Sequence, residues 1–382
     1  MIDFTNAPVI DAHAHPFMPS REKKGYERGF AMCIYPDPVN FKYQTSYHMA
    51  LNELKQLFQM PNDTPDEVVV QHRQRLAYED YNSFVKMLYK DAGITTILSD
   101  SGFPIVGDGL TDDELNTFYN ATNGVCSVFD MIRIETTCDR HLYHEGLSFD
   151  EMVASFDQYV DQYIKKRPTI CIKSVVGYYT GLKWEPVSHD EAEKNYNTYY
   201  EGRFNPKRTD KKFRDYMVYH SLELCVKYGL NFQMHTGAGD PPKCDMRLIN
   251  PNDLYELINT DLAKQVHFVV IHAGFPYSYE AALLAACYPH VFTDVSSTKI
   301  YAGRSEEDVF RHILDICPHN KIMYASDGGG LVDASWYGAR YTKRYMAQFL
   351  YEYVRSGYFS DAYAQEIGEM ILSKNAKYIY GI

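Results

Sequence analysis

The fold is decided by Val9-Ile10-Asp11-Ala12-His13-Ala14-His15-Pro16, a segment near the start of the 382-residue chain. Its apolar beginning predicts a short buried strand. Side chains two residues apart in a strand point the same way, so His13 and His15 should project together, and Pro16 should end the strand because it has no N–H to donate. Two imidazoles so placed can fill two corners of a metal site, although an isolated H-x-H is also typical of a strand that ends at the surface.

Short apolar strands alternate with helices along the rest of the chain. After the first strand, further strands are predicted at residues 94–100, 125–136, 169–176, 230–235, 266–272, 291–295 and 321–325. Helices are predicted at residues 46–60, 65–91, 148–166, 210–229, 251–260, 278–288, 305–316, 337–356 and 361–374, with shorter ones after Thr111 and Ser188. Such alternation requires parallel strands joined by right-handed crossovers.

Eight such units predict an α/β fold, a (β/α)8 TIM barrel with helical insertions after the first strand and at the C-terminus. The alternative is an open doubly wound sheet, but no glycine-rich phosphate loop follows the first strand. The chain contains no internal repeat, low-complexity linker or change of composition that would mark a boundary. We therefore expect a single domain over residues 1–382.

Composition and charge restrict the partners of this protein. The formal net charge of −12 argues against nucleic acid or an anionic membrane as the main partner. One basic run, residues 203–214, is interpreted as a solvated loop and helix start. Eight cysteines without a C-x-x-C pair, together with an N-terminus unlike a signal peptide and no long apolar segment, predict a cytoplasmic protein without a membrane span.

Side chains that can bind metal follow the ends of five predicted strands. They are His13 and His15 on the first strand, Lys173 on the fourth, His235 on the fifth, His272 on the sixth and Asp327 on the eighth. Each alone has an ordinary explanation, such as a buried core histidine or an Asp-Gly turn. In a TIM barrel, however, all strand ends open on one face, so the set predicts a metal centre suited to Zn²⁺, with Mn²⁺ or Fe²⁺ as alternatives.

This order of strand-end residues resembles that of the amidohydrolase superfamily, which consists of metal-dependent TIM-barrel hydrolases. Three segments, at residues 172–182, 235–248 and 272–281, resemble the FluG-type branch, also called amidohydrolase-2. Tyr179 stands where that branch would place an arginine, which argues against a glutamyl-type substrate. The resemblance implies that the six strand-end residues are metal ligands, and that one or two divalent ions, with zinc expected first, bind each chain.

The chemical state of Lys173 determines whether one or two metal ions are expected at this site. A protonated amine would be repelled by metal ions, so it must be neutral or modified to act there. In binuclear members of the superfamily the strand-four lysine is carboxylated by CO₂ and bridges both metals. The alternative is an unmodified lysine that forms a salt bridge with a carboxylate such as Glu135.

The resemblance also assigns roles in catalysis and substrate binding. Asp327 would accept the proton of a metal-activated water, and His272 would be a ligand of the second metal or the general base of a one-metal site. A substrate carboxylate would be held by Arg133 or Arg247, in a pocket that also includes Glu135 and Tyr178. Surface ion pairing and aromatic packing are the alternatives for these residues.

Three functions remain open at this stage. The first is hydrolysis of a C–N bond in a small amide-type substrate that carries a carboxylate. The second is a one-metal decarboxylase or hydratase of the same superfamily, and the third is a non-catalytic metal-binding barrel. A small-molecule substrate is expected in the first two cases, and a homo-oligomer is left open.

Overall fold

A computed structural model describes residues 2–22, 25–30, 41–103, 109–239, 244–296 and 302–382. It contains one parallel sheet of eight strands whose spatial order is the order of the sequence. The strands are β1 (Val9–Ala14), β2 (Ile94–Asp100), β3 (Ser127–Arg133), β4 (Thr169–Ser174), β5 (Asn231–His235), β6 (Phe268–Ile271), β7 (Val291–Asp294) and β8 (Ile322–Met323). The predicted (β/α)8 barrel is thereby confirmed.

The barrel closes between β8 and β1 through individual hydrogen bonds. Ala12 N donates to Tyr324 O (3.1 Å) and Asp327 N donates to His13 O (2.8 Å). Next to this seam, the pairing of β1 with β2 shifts register between Asp11 and Ala14. Bulges of this kind are frequent beside active sites because they change the direction of a side chain.

Helices lie between consecutive strands and cover the outside of the barrel. The longer ones are Thr45–Leu57, Asp66–Glu79, Tyr81–Ala92, Asp112–Thr122, Phe149–Lys166, His189–Tyr199, Lys211–Tyr228, Ser278–Cys287, Ser305–Ile316, Val332–Arg355, Asp361–Glu369 and Asn375–Tyr380. Capping boxes begin the helices after Thr111, Ser148 and Ser188, as their sequences predict. Among the described residues, no helix combines the length and the apolar character needed to cross a membrane.

Several predicted elements have other bounds in the structure; the eighth strand, for example, is only Ile322–Met323, and the helix predicted over residues 337–356 begins at Val332. The helix predicted over residues 65–91 is two helices, because Asp80 has an extended backbone and its side chain caps the second one by accepting from Ser83 N. The strand predicted over residues 125–136 ends at Arg133 and continues as one helical turn, Ile134–Thr136. The last predicted helix extends past residue 374 to Tyr380 through a π-helical turn, Met370–Lys374.

That final helix closes the barrel at the end where the strands begin. Ala376, Ile379 and Tyr380 pack with interior residues of the strands in one apolar cluster. Gln233, on β5, donates to the Tyr380 hydroxyl (2.6 Å) and to Ala12 O (3.0 Å). The interior of the barrel is therefore packed below the strand ends, and any open space for a ligand lies at the opposite end.

The basic run at residues 203–214 is only partly a solvated segment. Arg203 and Lys212 are exposed and form ion pairs with glutamates, as expected. Arg214, in contrast, is 3% exposed, donates to Asp210 (2.7 Å) and lies 4.1 Å above the Tyr179 ring. The prediction was wrong for Arg214. The carboxylates of Asp139 and Asp210 and the rings of Tyr179 and Tyr200 surround its guanidinium group and offset the cost of burying its charge.

Seven cysteines fall within the described residues, and no disulfide joins any two of them. Cys33 lies outside the described residues.

Substitution of Gly237 by alanine is expected to destabilise the protein strongly. Gly237 has a φ of 74°, and an added Cβ would lie 2.3 Å from Phe275 O and 2.5 Å from Gly274 C, which are backbone atoms that cannot move aside. Gly229→Ala is the matched control, because its φ is 67° and no atom lies within 4 Å of the added Cβ. We expect Gly229→Ala to lower the free energy of unfolding by about 1–2 kcal/mol. Gly237→Ala should lower it by about 1–3 kcal/mol more; equal losses in urea titrations would contradict the steric argument.

Candidate metal centre

The six predicted ligands lie at the end of the barrel where the strands finish, which we call the rim. His13 belongs to β1, Lys173 to β4 and His235 to β5, while His15, His272 and Asp327 follow β1, β6 and β8. All are buried except Asp327, whose side chain is 15% exposed. Strand ends in a parallel barrel point to one face, so residues far apart in sequence meet there.

The histidines and Asp327 converge on one small volume. Asp327 Oδ1 lies 3.2 Å from His13 Nε2 and 3.1 Å from His15 Nε2. The imidazole centroids of His13 and His272 are 5.5 Å apart, and those of His235 and His272 are 4.5 Å apart. His13, His272 and Asp327 can each offer one ligand atom within 4.8 Å of the others. This spacing suits ligands that surround a single ion.

Hydrogen bonds orient two of these rings from behind. His15 Nδ1 lies 2.9 Å from Asp100 O, and His272 Nδ1 lies 2.7 Å from Ser296 Oγ. In each ring this leaves Nε2 as the nitrogen available to a metal, which is the usual arrangement of ligating histidines. Within the described part of the chain, the buried His235 Nε2 has no hydrogen-bond partner. A buried nitrogen without a partner is costly, so the donor set fits a metal ion.

Burial favours the neutral form of His13, His235 and His272. Burial and then the charge of Lys173 lower the pKa of His13 to about 3, and the same causes hold the pKa of His235 well below its usual value. Burial lowers the pKa of His272 in the same direction. For Asp327, burial opposes ionisation, but His272 and the close approach of His13 and His15 hold its pKa well below the ordinary value. Neutral imidazoles and an ionised carboxylate are the forms that bind metal.

Lys173 lies within this group and is 1% exposed. Its Nζ donates to His13 Nε2 (2.7 Å) and lies 3.1 Å from Asp100 Oδ2. The alternative partner considered from sequence, Glu135, instead accepts hydrogen bonds from Ser174 Oγ (2.7 Å) and Val175 N (2.9 Å). Burial lowers the pKa of Lys173, which is the direction that carboxylation of the amine requires, although Asp100 acts in the opposite direction.

Asp100 is a rim residue that the sequence analysis did not select. It is the last residue of β2 and is fully buried, and His13, His15 and Asp100 form a second group whose ligand atoms lie within 4.8 Å of one another. Burial opposes its ionisation, but Arg133 and Lys173 hold its pKa well below the ordinary value. The sequence contained a signal for this residue, because Asp100 ends the second predicted strand in the same way that Asp327 follows the eighth.

Not all the residues predicted to bind substrate lie beside the candidate metal centre. Arg133 is 3% exposed and its Nε donates to Asp100 Oδ2 (2.9 Å), while another of its nitrogens donates to Gly102 O (3.2 Å). Tyr178 lies with its ring 4.4 Å from that of His235. The Arg247 side chain is 86% exposed and bound to Asp245, so the structure places it at the surface.

Phe103 is a second neighbour of the centre that the sequence analysis missed. Its ring stacks on that of His15, with the ring centroids 4.8 Å apart. Phe103 follows β2 in a Ser-Gly-Phe-Pro turn, and nothing in that turn distinguishes a pocket aromatic from an ordinary loop residue.

Comparison with known proteins identifies the family of this chain. A family model described as "Amidohydrolase" matches residues 188–382, about half of the chain. The chain belongs to the amidohydrolase family. This confirms the resemblance inferred from the strand-end residues. The curated protein fluG of Emericella nidulans is 24% identical over an alignment that covers 98% of this chain and 45% of fluG, so the chain spans less than half the length of that relative.

Several solved structures share the fold of this chain. A protein described as a metal-dependent hydrolase from Lactobacillus casei ATCC 334 superposes with a TM-score of 0.81 at 21% identity, covering 100% of this chain and 98% of that structure. Uronate isomerase from Thermotoga maritima has a TM-score of 0.62 at 9% identity, covering 98% and 94% of the two chains. Glucuronate isomerase from Caulobacter crescentus has a TM-score of 0.62 at 13% identity, with 99% and 92% covered. These likenesses concern the fold.

Proposed function

We propose that this protein is a metal-dependent hydrolase that cleaves the C–N bond of a small amide-type substrate carrying a carboxylate. The observation that supports this most directly is the convergence of buried histidines on the carboxylate of Asp327, with His235 Nε2 unpartnered among the described residues. The ligands would be His13, His15, His235, His272 and Asp327, with Lys173 as an additional one if carboxylated. Zinc is the first expectation for this mixture of nitrogen and oxygen donors, and Mn²⁺ or Fe²⁺ would also suit it.

The chain's own groups then have defined parts in the reaction. A divalent metal bound here would supply Lewis acidity toward a water molecule and toward the substrate carbonyl. Asp327 would accept a proton from the attacking water at a carboxylate oxygen and return it to the departing nitrogen as the C–N bond breaks. His272 would take over as base if only one metal binds. Burial of these groups excludes bulk water and strengthens each interaction.

The charge of the centre favours an anionic substrate. With Lys173 as an ammonium and one bound dication, or as a carbamate and two, the charges of Arg133, Lys173, Asp100, Asp327 and the buried Glu135 would sum to a positive value. Because Arg133 already binds Asp100, we assign the attraction for a substrate carboxylate to the whole centre rather than to a single bidentate arginine contact. Tyr178 and Phe103, beside His235 and His15, would form apolar walls.

One observation favours a second function. Lys173 Nζ lies 3.1 Å from Asp100 Oδ2, and an ammonium ion kept in this pair would not bridge two metals. A one-metal centre of this kind supports the decarboxylase or hydratase alternative, in which a carboxylate-bearing substrate loses CO₂ or water instead of an amine.

The proposal is tested by metal analysis combined with a substrate panel. Protein purified without chelator is analysed for metal per chain, and then assayed with N-acyl amino acids, other small amides, and carboxylic acids that could lose CO₂ or water. We expect metal-dependent release of an amine, abolished by chelation and restored by Zn²⁺ or Mn²⁺. Release of CO₂ or water without amide cleavage would replace hydrolysis by the second function. Bound metal without turnover of any class would favour a non-catalytic barrel.

A further inference from the structure

The segment that carries Asp327 to the rim leaves the regular sheet early. β8 pairs with β7 only through Ile322 and Met323. Beyond them, Asp327 has a φ of 55°, in the left-handed region that is disfavoured for residues with a Cβ. Such a conformation persists when surrounding contacts determine it, so the contacts around Asp327 decide where its carboxylate lies.

Asp11, in β1, provides two of these contacts. Its side chain is fully buried, and its two carboxylate oxygens accept hydrogen bonds from Ser326 N (2.8 Å) and Ser326 Oγ (2.5 Å). Ser326 Oγ also accepts from Gly328 N (2.9 Å) and lies 3.1 Å from Ser335 Oγ, at the start of the helix Val332–Arg355. The residues on both sides of Asp327 are thus tied to β1 through one carboxylate.

We propose that Asp11 is a positioning residue that holds Asp327 against the β1 histidines, a role that rests on the metal-dependent function proposed above. A carboxylate is suited to this task because it accepts from both the N–H and the O–H of Ser326. An asparagine offers one acceptor oxygen, and its NH₂ group would face a donor. β1 and the residue after it therefore provide two candidate ligands, His13 and His15. The same strand provides Asp11, the carboxylate that positions Asp327 across the seam between β1 and β8.

The test compares Asp11→Asn with wild type in zinc affinity, kinetics and structure. We expect Asp11→Asn to fold, to bind Zn²⁺ about 10–100-fold more weakly in chelator competition, and to show a lower kcat with a smaller change in KM. In its crystal structure Asp327 Oδ1 should move away from the Nε2 atoms of His13 and His15. Ser326→Ala should act in the same direction. The double variant should be no weaker than the more affected single variant, because both substitutions remove the same link.

Asp130→Asn is the matched control. Asp130 is 1% exposed on β3 and accepts from the Tyr119 hydroxyl (2.7 and 2.9 Å), so the substitution removes a buried charge of the same kind without touching Ser326. It should leave zinc affinity at the wild-type value. An Asp11→Asn protein that is less stable but keeps wild-type zinc affinity and an unmoved Asp327 would overturn the positioning role. Failure of the wild-type protein to bind Zn²⁺, Mn²⁺ or Fe²⁺ would instead overturn the proposed function, and the position of Asp327 in the variant structure would still decide the role of Asp11.

Discussion

Replacement of Asp327 by asparagine is expected to reduce turnover by about 10²–10⁴-fold, the usual contribution of a general base. Asparagine keeps the size and the positive-φ tolerance of aspartate but cannot accept and return a proton. The fold should persist, because the hydrogen bond from Asp327 N to His13 O (2.8 Å) is made by the backbone and remains. The measurement is kcat on the best substrate of the panel, together with metal per chain and the urea midpoint.

Metal content separates the two ways in which this variant could lose activity. A carboxylate whose Oδ1 lies within 3.2 Å of two histidine Nε2 atoms is both a candidate ligand and a candidate base. Kinetics should therefore be measured with zinc supplied until the site is saturated. If the variant then retains most of its activity at normal metal content, Asp327 is not the base. Asp130→Asn, which removes another buried carboxylate, should keep wild-type kcat.

Replacement of Lys173 by alanine is expected to remove at least one metal and most of the activity. If Lys173 is carboxylated, its carbamate would supply two oxygens and a negative charge to bridge two ions about 3.5–4 Å apart. The variant would lose that bridge and leave a gap beside His13 that small carboxylic acids such as formate or acetate could fill. We expect partial rescue of activity by these acids, and a carbamate signal in the wild-type protein when it is incubated with ¹³C-labelled CO₂.

Lys343→Ala is the matched control, because Lys343 is a buried lysine that binds backbone carbonyl groups away from the rim. Lys343 is 6% exposed and donates to Ala92 O (2.8 Å) and Thr5 O (3.2 Å), and burial lowers its pKa to about 8. This variant should lose stability but keep its metal, and acids should not rescue it. If Lys173→Ala keeps the full metal complement and wild-type protein gives no carbamate signal, the two-metal centre is wrong. Lys173 would then act as an amine paired with Asp100, and the one-metal alternative would take its place.

The barrel could be predicted from sequence because its signals are local and repeated. Short apolar strands, glycine at helix ends such as Gly93 and Gly229, and capping boxes each act within a few residues. Local signals also account for the boundaries that were misplaced. Residues 65–91 have a continuous helical pattern, and only the capping of Ser83 N by Asp80 divides it. The meeting of the strand-end side chains could be predicted for a related reason, since a parallel barrel brings every strand end to one rim.

Interactions across the barrel could not be predicted in this way. Nothing near Arg133 in the sequence indicates that it binds Asp100 rather than a substrate, and nothing near Glu135 indicates that it accepts from Ser174 and not from Lys173. These choices depend on distances between strands and on the cost of leaving a buried charge without a partner.

The sequence by itself determined the alternation of strands and helices, and therefore the fold and the rim on which His13, His15, Lys173, His235, His272 and Asp327 lie. Tertiary structure alone decided which rim charges pair with one another, because each pair joins different strands or loops. The seam between β1 and β8 illustrates this division. Asp11 and Asp327 are separated by more than 300 residues, and only closure of the barrel ties the Asp327 segment to the Asp11 carboxylate through Ser326.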